Sequence, residues 1–212
     1  MGEVMNDLPE IEQNMKQDNN IDMLPLCRAD VFIKSSVGTI EQREDLKKQI
    51  FHAKENNIEV MGGGNKGCWR STAKYKMDWL YDAVKELSDQ ANKVYFETDP
   101  VFKSQVTSCT NRDFGIWTNI NDIGSKNILH THVEDIWAAI YYVQSEGTGN
   151  LVFLNPANTL MTCNQKAPFV RNSVIVPQDG MLVLWPGWMP HEVEENKSNQ
   201  QRINLAWGIN YN

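Results

Sequence analysis

The sequence predicts an α+β chain that is mainly β, a double-sheet jelly roll with two supporting helices on its N-terminal side. Three observations lead there. Beyond residue 100, short β-rich segments follow closely at 113–120, 128–131, 136–144, 150–154, 169–176, 181–185, 191–194 and 202–210, separated by Gly, Asn, Asp and Pro. Ahead of them lie two stretches with apolar residues at helical spacing. The 212 residues, 41% hydrophobic with seven tryptophans, suit one compact unit with its own core rather than a disordered chain.

In chain order, residues 1–25 read as a polar lead-in and 26–212 as a single domain, with helical support over 39–92 and a jelly-roll core over 113–210. "LCRADVFIKSS" reads as a strand in which Val31 and Ile33 alternate with polar neighbours. In "TIEQREDLKKQIFHAKENN", Leu46, Ile50 and Ala53 recur at helical spacing, Thr39 stands where a cap is needed, and acidic residues gather in the first half. His52, near the end of that helix, where the dipole favours a cation, reads as solvated rather than as a ligand.

"EVMGGGNKGCWRST" carries three consecutive glycines and then Gly67, which reads as a loop with no regular structure, a candidate lid. Trp69 and Arg70 beside it face either a substrate or, for the tryptophan, the edge of the core. In "KYKMDWLYDAVKELSDQANK", Met77, Leu80, Val84, Leu87 and Ala91 repeat at three and four, the pattern of an amphipathic helix packed on something flat. The two helices are expected to cover the outer face of one sheet.

Composition removes several function classes. A net charge of −7 leaves no electrostatic footprint for generic binding to nucleic-acid backbones. The acidic, amide-rich start is not a signal peptide, no apolar run reaches bilayer length, and Asn6 stands where a myristoylation signal needs Ser or Thr. No membrane partner and a cytoplasmic location are therefore expected, the host cytoplasm if the chain is phage-encoded. Cys27, Cys68, Cys109 and Cys163 are scattered without a C-x-x-C pair, which fits free thiols better than a zinc knuckle or redox motif. Oligomeric state is not legible.

The chain has four histidines, and His130 and His132 fall one residue apart in "NILHTHVEDIWAAIYYVQ". On extended backbone that spacing puts both side chains on one face. His191 closes "GMLVLWPGWMPH", where a strand runs into a Pro/Gly turn, and Greek-key strands distant in sequence meet in space. Three imidazoles on one side of an ion leave other positions open and suit Fe, Cu, Ni or Zn. Arg202 opens the strand "RINLAWGIN"; buried there, it needs an anion, either a dicarboxylic ligand held by its planar fork or a protein carboxylate such as Glu192 or Glu194.

"WTNINDIGSKNILHTHVEDIWAAIYYVQ", "GNLVFLNP" and "GMLVLWPGWMPHEVEENKSNQQRINLAW" resemble the 2OG-Fe(II) oxygenase family common in phages and marine bacteria, over roughly residues 113–210. "GGGNKGCWRST" is similar to that family's glycine-tryptophan-serine loop. The resemblance implies a double-stranded β-helix and an Fe(II)- and 2-oxoglutarate-dependent dioxygenase that consumes O2, hydroxylates a substrate and releases succinate and CO2. It also implies Fe(II) on His130, His132 and His191, and 2-oxoglutarate anchored by Arg202, with Tyr142 and Asn127 as further contacts. Trp117, Asn119 and Asn155 match the pattern without an assigned role.

The family's usual H-x-D is H-x-H here, which leaves the second ligand open between His132 and Glu134; strand parity disfavours Asp135. The common R-x-S is "RIN", with Asn204 still offering a hydrogen bond. Two rival readings stand beside this one. "GSKNILHTH" also fits the first half of a cupin motif, a three-histidine dioxygenase needing no oxoacid, although Ile136 and Trp137 occupy the place of its glutamate. A non-catalytic jelly-roll binding or virion protein would use its histidines only for packing. Substrate identity, protein side chain or small molecule, is not written in the metal and co-substrate residues; the loop at 62–67 and the segment 156–168 are where it is expected.

Overall fold

The computed structural model describes residues 29–61, 67–96, 103–104, 106, 112–155 and 172–211. The polar lead-in, most of the glycine loop, the segment 156–168, and Cys27, Cys109 and Cys163 lie outside the described residues.

Two antiparallel sheets and two helices make up the described chain. The elements are β1 (Phe32–Lys34), α1 (Ile40–Glu55), β2 (Cys68–Ser71), α2 (Asp78–Phe96), β3 (Arg112–Asn121), β4 (Asn127–His130), β5 (Trp137–Gln144), β6 (Leu151–Phe153), β7 (Ser173–Ile175), β8 (Leu182–Pro186), β9 (His191–Val193) and β10 (Arg202–Tyr211). A six-stranded sheet runs β1-β8-β5-β10-β3-β2, and a four-stranded sheet runs β4-β9-β6-β7.

Helix α1 starts where the sequence places it. The Thr39 hydroxyl accepts from the Gln42 N–H at 3.2 Å while the Gln42 side chain accepts from the Thr39 N–H at 2.8 Å, so two N-terminal donors are satisfied reciprocally. Leu46, Ile50 and Ala53 are its buried stripe, and His52 is exposed. Helix α2 buries Leu80, Ala83, Val84, Leu87 and Ala91 against the larger sheet. Its buried Asn92 accepts from the Trp137 indole at 2.9 Å and donates to the Tyr211 hydroxyl at 2.6 Å, which fixes the helix on β5 and β10.

Strand parity divides the larger sheet into two functional faces. Trp137, Ala139, Tyr141 and Val143 of β5, with Ile203, Leu205, Trp207 and Ile209 of β10, join the helices in one apolar cluster. Ala138, Ile140 and Tyr142 of β5 point the other way, into a second cluster with Leu151, Phe153, Val183, Trp185 and Val193 from both sheets. Both faces of β5 are therefore covered, as its near-continuous burial shows.

Two expectations are corrected. "CWRS", read as part of an irregular loop, is the strand β2, paired antiparallel with β3 from Cys68 opposite Asn121 to Ser71 opposite Thr118. An edge strand needs a partner on one side only, and β3 supplies the hydrogen bonds that short-range pattern could not show. Just before β1, Val31 packs into the inter-sheet cluster, but Ile33 of β1, expected on the same buried face, is 47% exposed, on a strand at the edge of the sheet.

Candidate metal centre

The three histidines come from the junction of the smaller sheet with the loop that follows β4. His130 ends β4 and stands opposite His191, the first residue of β9. His132 lies just past the strand, where its N–H donates to the Gly187 carbonyl at 2.8 Å, so the Pro/Gly turn before His191 holds the backbone that carries it. One candidate ligand atom from each histidine falls within 4.8 Å of the others, an arrangement among the described residues that could hold a metal ion. Glu134, kept open as a ligand, is exposed and outside that group.

Backbone contacts set which ring nitrogen faces the cluster. The Nδ1 of His130 donates to the Ile128 carbonyl at 2.7 Å, and the Nδ1 of His191 donates to the Met189 carbonyl at 2.9 Å. Each imidazole thereby keeps its proton on Nδ1 and presents Nε2 as a lone pair. His132 has a carboxylate behind it instead: Asp135 Oδ2 lies 3.7 Å from its Nδ1, and Asn210 donates to Asp135 Oδ1 at 2.9 Å. Parity had removed Asp135 from the ligands, and it takes this backing position in the turn.

Burial favours the neutral, metal-ready form. It lowers the His191 pKa to about 3, against the opposing bond to Met189 and with help from His130 and His132. His132 is lowered to about 4, first by burial and then by His130 and Arg70. Around the rings, Trp185 meets His191 edge-on at 4.9 Å, and Trp117 stacks with His132 at 5.8 Å. These indoles line a cavity of about 200 Å³ whose wall also includes Asn119, Asn127, Arg70 and Asn204.

The inward face of the larger sheet carries a polar ladder in register. Arg70 on β2 stands opposite Asn119, Asn119 opposite Asn204, and Asn204 opposite Tyr142; one step along, Cys68 faces Asn121 and Asn121 faces Arg202. Asn119 donates to the Asn204 side chain at 2.9 Å. Arg202 is 1% exposed, and its Nη1 donates to the Thr148 carbonyl at 2.6 Å and more distantly to the Glu194 carbonyl at 3.5 Å. Gly149, at φ +97° and packed on the Glu194 carbonyl where a Cβ would come within 2.6 Å, brings those two carbonyls together.

Neither Glu192 nor Glu194 offers its carboxylate to Arg202. Nε and Nη2 of Arg202, the Tyr142 hydroxyl and Asn127 Oδ1 are all buried without a hydrogen-bond partner. Orphaned polar groups of this kind are costly unless a ligand completes them. Burial pulls the Arg202 pKa down and pushes that of Tyr142 up, each opposed by the other group. Asn127 is on the cavity wall, while Arg202 and Tyr142 lie beyond it in the same ladder. The three imidazoles on the cavity wall and the unsatisfied guanidinium fork behind it offer donor sets that suit a divalent ion and a dicarboxylate.

Residues 115–208 match the family model described as "Putative 2OG-Fe(II) oxygenase". That segment is similar to the 2OG-Fe(II) oxygenase family, whose cofactors are Fe(II) and 2-oxoglutarate. It spans every residue of the histidine cluster and Arg202. Among solved structures, a prolyl-4-hydroxylase from Pseudomonas putida is similar at 14% identity over 86% of this chain and 92% of its own, with a TM-score of 0.60. A prolyl hydroxylase from Trichoplax adhaerens, in complex with a hypoxia inducible factor oxygen degradation domain peptide fragment, shares 12% identity over 84% of this chain and 82% of its own, at a TM-score of 0.59. HygX from Streptomyces hygroscopicus, with nickel and 2-oxoglutarate bound, shares 11% identity over 86% and 83%, at a TM-score of 0.51. At these identities the likeness is one of fold. No curated protein matches the chain by sequence. No helix among the described residues is long and apolar enough to cross a membrane.

Of the site residues read from sequence, His130, His132, His191 and Asn127 line one cavity, with Arg202 and Tyr142 behind its wall. Trp185 and Asp135 were not given their places. Trp185 sits in the turn pattern leading to His191, and Asp135 three residues after His132, so both were within reach of a spacing argument; their orientation was not.

Proposed function

We propose that this chain is an Fe(II)- and 2-oxoglutarate-dependent dioxygenase built on a double-stranded β-helix, the jelly-roll form of its two sheets. The observation that carries the proposal is the pairing of the three-histidine cluster with a buried, carboxylate-free arginine fork. His130, His132 and His191 hold the metal through Nε2, with Asp135 steadying His132. Arg202 takes the distal carboxylate of 2-oxoglutarate through Nε and Nη2, the Tyr142 hydroxyl adds a donor, and Asn127 contacts the oxoacid. When bound, Fe(II) with 2-oxoglutarate and O2 supplies the oxidising power that hydroxylates a substrate C–H, with release of succinate and CO2. The protein's own share is orientation and dryness: Trp117 and Trp185 wall the cluster, and neutral imidazoles leave open coordination positions.

The test is anaerobic titration of the Fe(II) protein with 2-oxoglutarate, reading the metal-to-oxoacid charge-transfer band, followed by a succinate assay in air. A saturable band, and slow succinate release that His191→Ala abolishes, are expected. Iron bound by the histidines with no band and no succinate would overturn the proposal in favour of a three-histidine dioxygenase that uses no oxoacid. Equal succinate from wild type and the His191 variant would assign the turnover to free iron.

A further inference from the structure

The cavity wall carries a guanidinium of its own, apart from Arg202 behind it, that the co-substrate does not explain. Arg70 projects from the edge strand β2 onto the inward face and lies over Trp117, 5.6 Å from the ring centroid. Trp117 in turn stacks with His132, so the cation reaches the metal cluster through one shared indole. Arg70 Nε is buried without a hydrogen-bond partner, and among the described residues Arg70 has no carboxylate within ion-pair distance. Among the described residues, none on the cavity wall is acidic.

Charge makes the same point. Three neutral imidazoles bring no negative charge to the metal, where a carboxylate ligand would bring one. A dianionic oxoacid balances a divalent metal. Arg70 is then a guanidinium on the cavity wall without an acidic neighbour among the described lining residues. Its buried, unpartnered Nε is a donor that an anionic ligand would complete.

Resting on the oxygenase reading above, we propose that Arg70 is the substrate-binding residue of this site and that the molecule hydroxylated carries an oxyanion, a carboxylate or a phosphate. The planar guanidinium, placed over Trp117, meets the oxyanion by charge-assisted hydrogen bonds and leaves the neighbouring part of the substrate by the indole, on the side of His132. Selectivity for an acidic substrate thus comes from a residue of the β2 edge, outside the segment that matches the family model.

The experiment uses the full chain loaded with Mn(II) and saturated with 2-oxoglutarate under anaerobic conditions. Inorganic phosphate and acetate are the probes, and the readout is the Mn(II)-induced relaxation of the phosphate 31P and acetate 1H signals, which reports anions held near the metal. Wild type should give a saturable enhancement, and the probe that saturates at the lower concentration identifies the oxyanion class. R70Q should weaken probe binding about tenfold or more, the loss expected for a charge-assisted contact, with R70K recovering part of it. The affinity for 2-oxoglutarate in R70Q, from the Fe(II) charge-transfer band, should stay within about twofold of wild type, since Arg202 carries that contact. No saturable enhancement in wild type, or the same enhancement in R70Q, would overturn the proposal. So would a loss of 2-oxoglutarate affinity in R70Q as large as in R202M, which would place Arg70 in the oxoacid site. Wild-type protein that binds neither Mn(II) nor 2-oxoglutarate would remove the oxygenase reading itself, and that failure appears before any anion is added.

Discussion

Replacing Arg202 by methionine removes a charge but keeps most of the side-chain volume, and the structure predicts opposite consequences for binding and for stability. Two donors, Nε and Nη2, are buried and unpaired, so both are available to a carboxylate. Hydrogen bonds to charged groups contribute roughly 1.5–3 kcal/mol each; taking about 3 kcal/mol for the pair gives a fall in 2-oxoglutarate affinity of about 100-fold or more. The folded, ligand-free protein, by contrast, should lose little. The Thr148 carbonyl is deprived of its 2.6 Å donor, a cost of about 1–3 kcal/mol, while an unpaired buried cation disappears, a relief of several kcal/mol in the opposite sense. The net change should stay within about 2 kcal/mol of wild type. Arg202→Lys, which keeps charge without the fork, should fall between wild type and methionine in affinity. Anaerobic titration of the Fe(II) protein gives the affinity, and urea unfolding of the metal-free protein gives the stability. An affinity changed less than about threefold, together with a stability loss above about 3 kcal/mol, would show that Arg202 is a structural anchor for the Thr148 turn and not the oxoacid site.

Further outcomes follow from the same geometry. His191→Ala and His132→Ala should each abolish tight Fe(II) binding with the fold retained, since an open site contributes little to folding, whereas Glu134→Gln should leave metal content near wild type; iron analysis after gel filtration decides between them. Gly208→Ala should weaken metal binding without touching a ligand, because a Cβ there collides with the Asp135 carboxylate that backs His132; Mn(II) affinity unchanged in a folded variant would deny Asp135 that role. The metal-free protein should lose stability as pH falls. His191 and His132 have folded pKa values of about 3 and about 4, below the unfolded value of roughly 6.5, so between those limits the unfolded state binds more protons. Their contribution is complete above about pH 6.5 and declines as pH falls toward 4, by up to several kcal/mol. Denaturant midpoints that stay flat from pH 7 to about 4.5 would contradict it.

Much of this protein was determined by local pattern. Helix α1 could be read to its cap because the capping box is closed within four residues, and its buried stripe because 3.6-residue periodicity needs only a neighbouring apolar surface. The eight strands from β3 to β10 were legible for a similar reason: alternation and turn residues are properties of short segments. Cluster membership of His130, His132 and His191 was legible because a pair one residue apart and a histidine after a Pro/Gly turn are themselves short-range signals.

Long-range pairing decided the rest. That "CWRS" is a strand depends on β3 lying beside it, and that Arg70 faces the cavity while Trp69 joins the helix-side core follows from the register Arg70 opposite Asn119. Whether Arg202 would meet Glu194 as a carboxylate or as a backbone carbonyl could not be read from residue types; the close approach of Gly149 to the Glu194 carbonyl settles it. Asp135 likewise stands beside His132, outside the histidine group, through the turn geometry and the Asn210 hydrogen bond. In each case a side chain's partner is set by which backbone lies opposite it across the sheet, a quantity that local propensity does not contain.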